Sequence, residues 1–75
     1  MIEKNNGFLV LRLKSGLYER SSLMEAFEEL RKKSEASIEE GKYFTIRIKE
    51  SADAEKFGYE FLNYVLRLMK SKGVA

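Results

Sequence analysis

Cysteine, histidine, proline, glutamine and tryptophan are all missing from this 75-residue chain. Without Cys there can be neither a disulfide nor a thiolate metal site. Without His the commonest metal ligand and the usual general base at neutral pH are gone. The seven serines (15, 21, 22, 34, 37, 51 and 71) therefore have no imidazole to activate them, and turn or cap roles are expected instead. No P-loop or G-x-G-x-x-G run occurs, and Gly41-Lys42 has the composition of a turn. There is no long apolar run of membrane-spanning length and no apolar leader core near the N-terminus, so a soluble, cytoplasmic chain is expected. A strong charge of one sign is absent too. Fourteen cations face twelve anions, and a net charge of +2 does not by itself argue for nucleic acid. These absences point away from an enzyme, a cofactor and a bound metal.

Glutamate (eleven) and lysine (nine) are abundant. Lys/Glu enrichment with loss of thermolabile residues suggests a hot-growing source. The carboxylates of Glu25, Glu28 and Glu29, and of Glu39 and Glu40, lie close in sequence. A hard-metal site would need further ligands converging on them, whereas a solvated face with Lys neighbours needs nothing more. One domain, residues 1–75, is expected, and a chain this short hides only about 60% of its unfolded surface. With disulfides and thiolate metal sites excluded, oligomerisation is the remaining staple.

Asn5-Asn6-Gly7 is turn chemistry leading into FLVLRLK, residues 8–14, whose alternation predicts a strand with Leu9, Leu11 and Leu13 on the buried face. Ser22 and Glu25 fit a capping box opening an amphipathic helix with Leu23, Ala26, Phe27 and Leu30 inward, ending near Lys33. Glu28–Lys32 and Glu29–Lys33 have the spacing of stabilising pairs on its outer face. Residues 35–39 suit a short charged edge strand, with a loop as the rival reading. After a turn at Glu40-Gly41-Lys42, Tyr43–Lys49 predicts a regular strand with Phe44, Ile46 and Ile48 inward. Ser51 is positioned to cap a final helix. The predicted order is β-α-β-β-α, an α+β two-layer sandwich whose three-stranded sheet carries both helices on one face, with the last strand central. A right-handed crossover through the first helix is expected, and no internal repeat is apparent.

Two surfaces stand out. The outer sheet face is expected to gather Phe8, Val10, Arg12, Lys14, Tyr43, Thr45, Arg47 and Lys49. Aromatics interleaved with cations suit a stacking platform for single-stranded nucleic acid, although a solvated sheet or a dimer face is the more ordinary reading. The final helix is apolar over an arc of roughly 220°, where a helix on one core needs little more than about 100°. Phe57, Phe61, Val65 and Leu68 are assigned to the sheet. Tyr59, Leu62, Leu66 and Met69 form a second stripe, expected at a subunit or partner interface together with Asn63 and Arg67.

Several of these residues resemble the HxsD family, small accessory proteins of His-Xaa-Ser peptide-modification systems. Tyr18 is followed eight residues later by Ala26 in an amphipathic helix. Ala36–Ile48 then occupies the place of that family's strand pair, and Glu60-Phe61-Leu62-Asn63 matches its last-helix motif. The resemblance spans Tyr18 to about Arg67 and implies a non-catalytic helper working beside radical enzymes on a precursor peptide. Asn63-Tyr64-Val65-Leu66-Arg67 also resembles the last helix of the small dimerising subunit of the KEOPS tRNA-modification complex, though the proline-bearing turn of that family is missing. Both resemblances imply a homodimeric docking module with a protein or peptide partner. An RNA-binding module using the sheet face is the alternative.

Overall fold

In the computed structural model, which describes residues 2–73, Asn6 and Gly7 both adopt positive φ, 52° and 80°. A two-residue type I′ hairpin turn requires this of both central residues. The turn joins β1 (Ile2–Asn5) to β2 (Phe8–Lys14), with Asn5 opposite Phe8 and Ile2 opposite Leu11. The sheet therefore has four strands, not the three expected. Ile-Glu-Lys-Asn carries a single apolar residue, too little alternation to announce a strand, and its backbone is recruited by the turn that follows.

A short 3-10 turn (Ser15–Leu17) leads into α1 (Arg20–Lys33). β3 (Ala36–Glu39) and β4 (Tyr43–Lys49) form the second hairpin, so residues 35–39 do contain a strand. Ala36 and Ile38 lie opposite Ile48 and Ile46. α2 (Ala54–Ser71) closes the fold. The strands are all antiparallel in the order β1-β2-β4-β3, which places β4 between β2 and β3 as predicted. Leu9, Leu11, Leu13, Phe44, Ile46 and Ile48 form one buried cluster with residues of both helices, so the helices share one sheet face.

The chain is thus ββα followed by ββα, an internal repeat that the sequence reading did not detect. FLVLRLK and YFTIRIK correspond at a spacing of 35 residues, the separation of Leu11 from Ile46. Leu11 and Ile46 also face each other in the β2–β4 ladder, while Phe8 faces Lys49 and Lys14 faces Tyr43. A pseudo-two-fold axis therefore passes through the Leu11–Ile46 pair. The buried helix positions follow the same spacing: Leu23 with Gly58, Ala26 with Phe61, Leu30 with Val65.

Both helix starts differ from expectation. α1 begins two residues before Ser22, and Glu19 is its N-cap, accepting the Ser22 backbone N–H at 3.1 Å. A carboxylate already in reach takes that amide, while the Ser22 hydroxyl is buried and donates to the same carboxylate. At α2 the N-cap is Asp53, with no side-chain cap; Ser51 contributes only its carbonyl, to Ala54 N–H at 3.3 Å. The outer-face pairs of α1 form at i, i+3, as Glu28–Arg31 (3.1 Å) and Glu29–Lys32 (2.9 Å). Lys33 is released to reach Glu60 on α2 at 3.5 Å.

The buried stripe of α2 is Ala54, Gly58, Phe61, Val65 and Met69, with Phe57, Leu62, Tyr64 and Leu68 packed at its flanks. This rotates the helix from the predicted stripe of Phe57, Phe61, Val65 and Leu68. Small residues, not bulky ones, face the sheet at its N-terminal end: a Cβ at Gly58 would stand 3.3 Å from a Leu9 methyl. The close approach displaces Phe57 to the side and draws Met69 into the core.

Candidate functional site

The rotation of α2 decides which predicted interface residues remain available. Met69 does not; it is 5% exposed and belongs to the intramolecular core, a correction to its expected place at an interface. Leu62 is half-buried at the margin, and Asn63 and Arg67 are exposed. Tyr59 and Leu66 are 57% and 48% exposed. At about 100° per residue, Glu55, Tyr59, Leu62, Asn63, Leu66 and Lys70 fall within one sector of the helix surface spanning roughly 100°.

Toward α1 the helix presents a different set. A groove of about 300 Å³ runs between the helices, bordered by Leu30 and Lys33 on α1 and by Phe57, Glu60, Tyr64 and Arg67 on α2. The Arg67 guanidinium stands over the Tyr64 ring, 6.0 Å from its centroid, in cation–π range. Arg67 and Asn63 both line this groove. Sequence reasoning assigned both to a partner interface on the polar stripe of the helix and did not single out Tyr64 and Glu60 beside them. The 35-residue spacing of the repeat was the available signal for the helix rotation, since Leu23 predicts an inward Gly58.

The outer sheet face is assembled as expected. Phe8, Val10, Arg12 and Lys14 lie beside Lys49, Arg47, Thr45 and Tyr43, in that order. The edge strands, however, bring carboxylates to the cations. Glu3 bonds Arg12 at 2.7 Å, Glu39 bonds Arg47, and Glu35 lies 3.9 Å from Lys49. The arrangement obeys the pseudo-symmetry: each Glu sits opposite the residue two before its Arg, Glu3 opposite Val10 and Glu39 opposite Thr45. Val10 is 3% exposed although it points away from the helices, as expected if the stems of its cross-strand neighbours Glu3 and Arg47 cover it. Lys14 makes no ion pair among the described residues, and Tyr43 beside it is 45% exposed.

The clustered carboxylates are similarly occupied. Glu25 lies 4.0 Å from Lys72, Glu28 and Glu29 pair within α1, and Glu40 takes a two-pronged hydrogen bond from Arg20 at 2.7 and 2.8 Å. That bond holds the Glu40 carboxyl below its ordinary range and the Arg20 guanidinium above its own. Glu19 is perturbed most. Hydrogen bonds from the Ser21 and Ser22 hydroxyls, aided by Lys72 at 3.5 Å, bring it down to about 2. Lys72 also donates to the Ser21 hydroxyl at 3.2 Å, so the end of α2 is fastened to the start of α1. Among the described residues no group of three or more Asp or Glu side chains converges as a metal cage would, and no helix is long and apolar enough to cross a membrane.

Compared with protein-family models, curated proteins and solved structures, the chain matches none of them.

Proposed function

We propose that this chain is a small, non-catalytic docking module of the cytoplasm, HxsD-like in role. It forms a homodimer through the outward face of α2 and engages a protein or peptide partner through a free edge of the sheet. The observation that carries this reading is the exposure of Tyr59 and Leu66, while every other large apolar side chain of α2 is buried or half-buried. The repeat supplies an internal control. The α1 residue corresponding to Leu66 is Arg31, which is solvated and bonded to Glu28. One half of the fold therefore meets water with an ion pair where the other presents a leucine.

The HxsD resemblance supports the reading only at the level of architecture. Ala26 and Phe61 of its motif are buried and Tyr18 is packed against the core, so in this chain those residues serve the fold and not an exposed surface. The rival reading, an RNA-binding sheet face as in a KEOPS-type subunit, is weakened by the three carboxylates placed among its four cations. Salt-dependent binding of a single-stranded oligonucleotide, lost on replacing Arg12 and Arg47 with Ala, would favour it.

Light scattering behind size exclusion tests the proposal. At tens of micromolar the protein should run at twice its 8.7 kDa chain mass. Leu66→Glu should shift it to monomer with an unchanged circular dichroism spectrum. A native protein that is monomeric throughout that range sinks the homodimer.

A further inference from the structure

The exposed sector of α2 is not only apolar; its charges are ordered. Glu55 lies at its N-terminal end, Lys70 at its C-terminal end, and Tyr59, Leu62, Asn63 and Leu66 between them. We propose that the occupant of this sector is a second copy of the same helix, packed antiparallel about a two-fold axis that crosses α2 between Leu62 and Asn63. This deepens the homodimer reading above and rests on it. That single axis brings Tyr59 level with Leu66 of the second copy and Glu55 level with Lys70 of the second copy. Each contact occurs twice, as a two-fold interface demands. A parallel pairing in the same register sets Glu55 on Glu55 and Lys70 on Lys70. Antiparallel packing also opposes the two helix dipoles.

The exposed edges of the sheet are poorer candidates for self-association. In a two-fold antiparallel pairing of β1 the opposed residues share a sheet face, so an axis within the middle of the strand passes through Glu3 or Lys4. The first sets Glu3 against Glu3 and the second Lys4 against Lys4, and like charges directly opposite oppose pairing. On β3, an axis through Ser37 sets Glu35 against Glu39, and one through Ile38 sets Ser37 against Glu39 and Ala36 against Glu40, which brings no cation to either carboxylate across a strand of four residues. Helix pairing meets no such conflict. Glu55 already lies 3.6 Å from Lys4 of its own chain. The second carboxylate oxygen remains available to Lys70 of the other copy, and Lys70 makes no ion pair of its own among the described residues.

Charge exchange tests the pairing. Glu55→Lys and Lys70→Glu, made singly, each set like charges at both ends of the interface and should raise the dimer dissociation constant roughly three- to tenfold at low salt, in keeping with exposed ion pairs. The double variant restores opposite charges in reversed order and should recover the native constant to within about twofold. All three are read by sedimentation equilibrium, with circular dichroism to confirm the fold. The single effects should fade at high salt. A native dimer indifferent to both single exchanges, or a double variant as weak as their sum, overturns the antiparallel pairing while leaving the homodimer standing. A native monomer removes both.

Discussion

Glu19 concentrates several functions in one side chain: it caps α1, accepts from two serine hydroxyls and receives Lys72 from the end of α2. Its carboxyl titrates at about 2 in the folded chain against an ordinary value of 4.5. A carboxyl lowered by folding stabilises the native state fully above its unfolded value and loses that contribution as pH falls through its folded value. Between pH 4.5 and about 2 the native protein should therefore lose stability through this group. Glu19→Gln should be less stable at pH 6 and show a flatter decline across that window, measured by urea midpoints at each pH. Met69 and Leu66 give an opposed pair three residues apart. Met69→Glu places a carboxylate in the core and should abolish cooperative unfolding, whereas Leu66→Glu should still unfold cooperatively, with its midpoint lowered only by the loss of the second copy. Phe61→Ala should cost about 3–5 kcal/mol, as a buried Phe deletion does. Urea melts separate the three, and a folded Met69→Glu would return that residue to the surface.

At the scale of elements, the clear periodicities led to the right structures. The strands over 8–14 and 43–49 and the helix ending at Lys33 all form as their alternation or amphipathic spacing implies. What escaped was information carried by few residues. β1 depends on Asn6 and Gly7 turning the chain back on itself, a pairing signal and not a hydrophobic one. The rotation of α2 escaped because bulk was equated with burial, whereas a helix approaches a sheet most closely over Gly58 and Ala54. For the same reason the exposure of Tyr59 and Leu66 was legible, whereas Met69, expected outside, lies in the core. Gly58→Val tests this geometry: branched methyls directed at Leu9, Leu11 and Ile48 should overpack the contact and cost about 1–3 kcal/mol in chemical denaturation. An unaffected midpoint would mean that α2 stands further from the sheet.

On the scale of the whole molecule, the surface divides into a sheet face of largely paired charges and a helix face that leaves Tyr59 and Leu66 exposed. The duplicated ββα plan bears on something else, the order in which the chain closes. Each hairpin is local, joined by Asn6-Gly7 or by residues 40–42, and such turns form within microseconds but are barely stable alone. The seam that unites them, β2 with β4, pairs residues as distant in sequence as Phe8 and Lys49. Closing the intervening loop is an entropic cost met before any seam contact is gained, so the seam should set the folding rate. In a chevron analysis, Ile46→Val, on the pseudo-two-fold axis, should chiefly slow refolding. Ile38→Val, on the outer strand β3, should chiefly hasten unfolding. The barrier to folding would then lie where the two halves meet, and a chain assembled from two similar pieces would be limited by the time those pieces take to find each other.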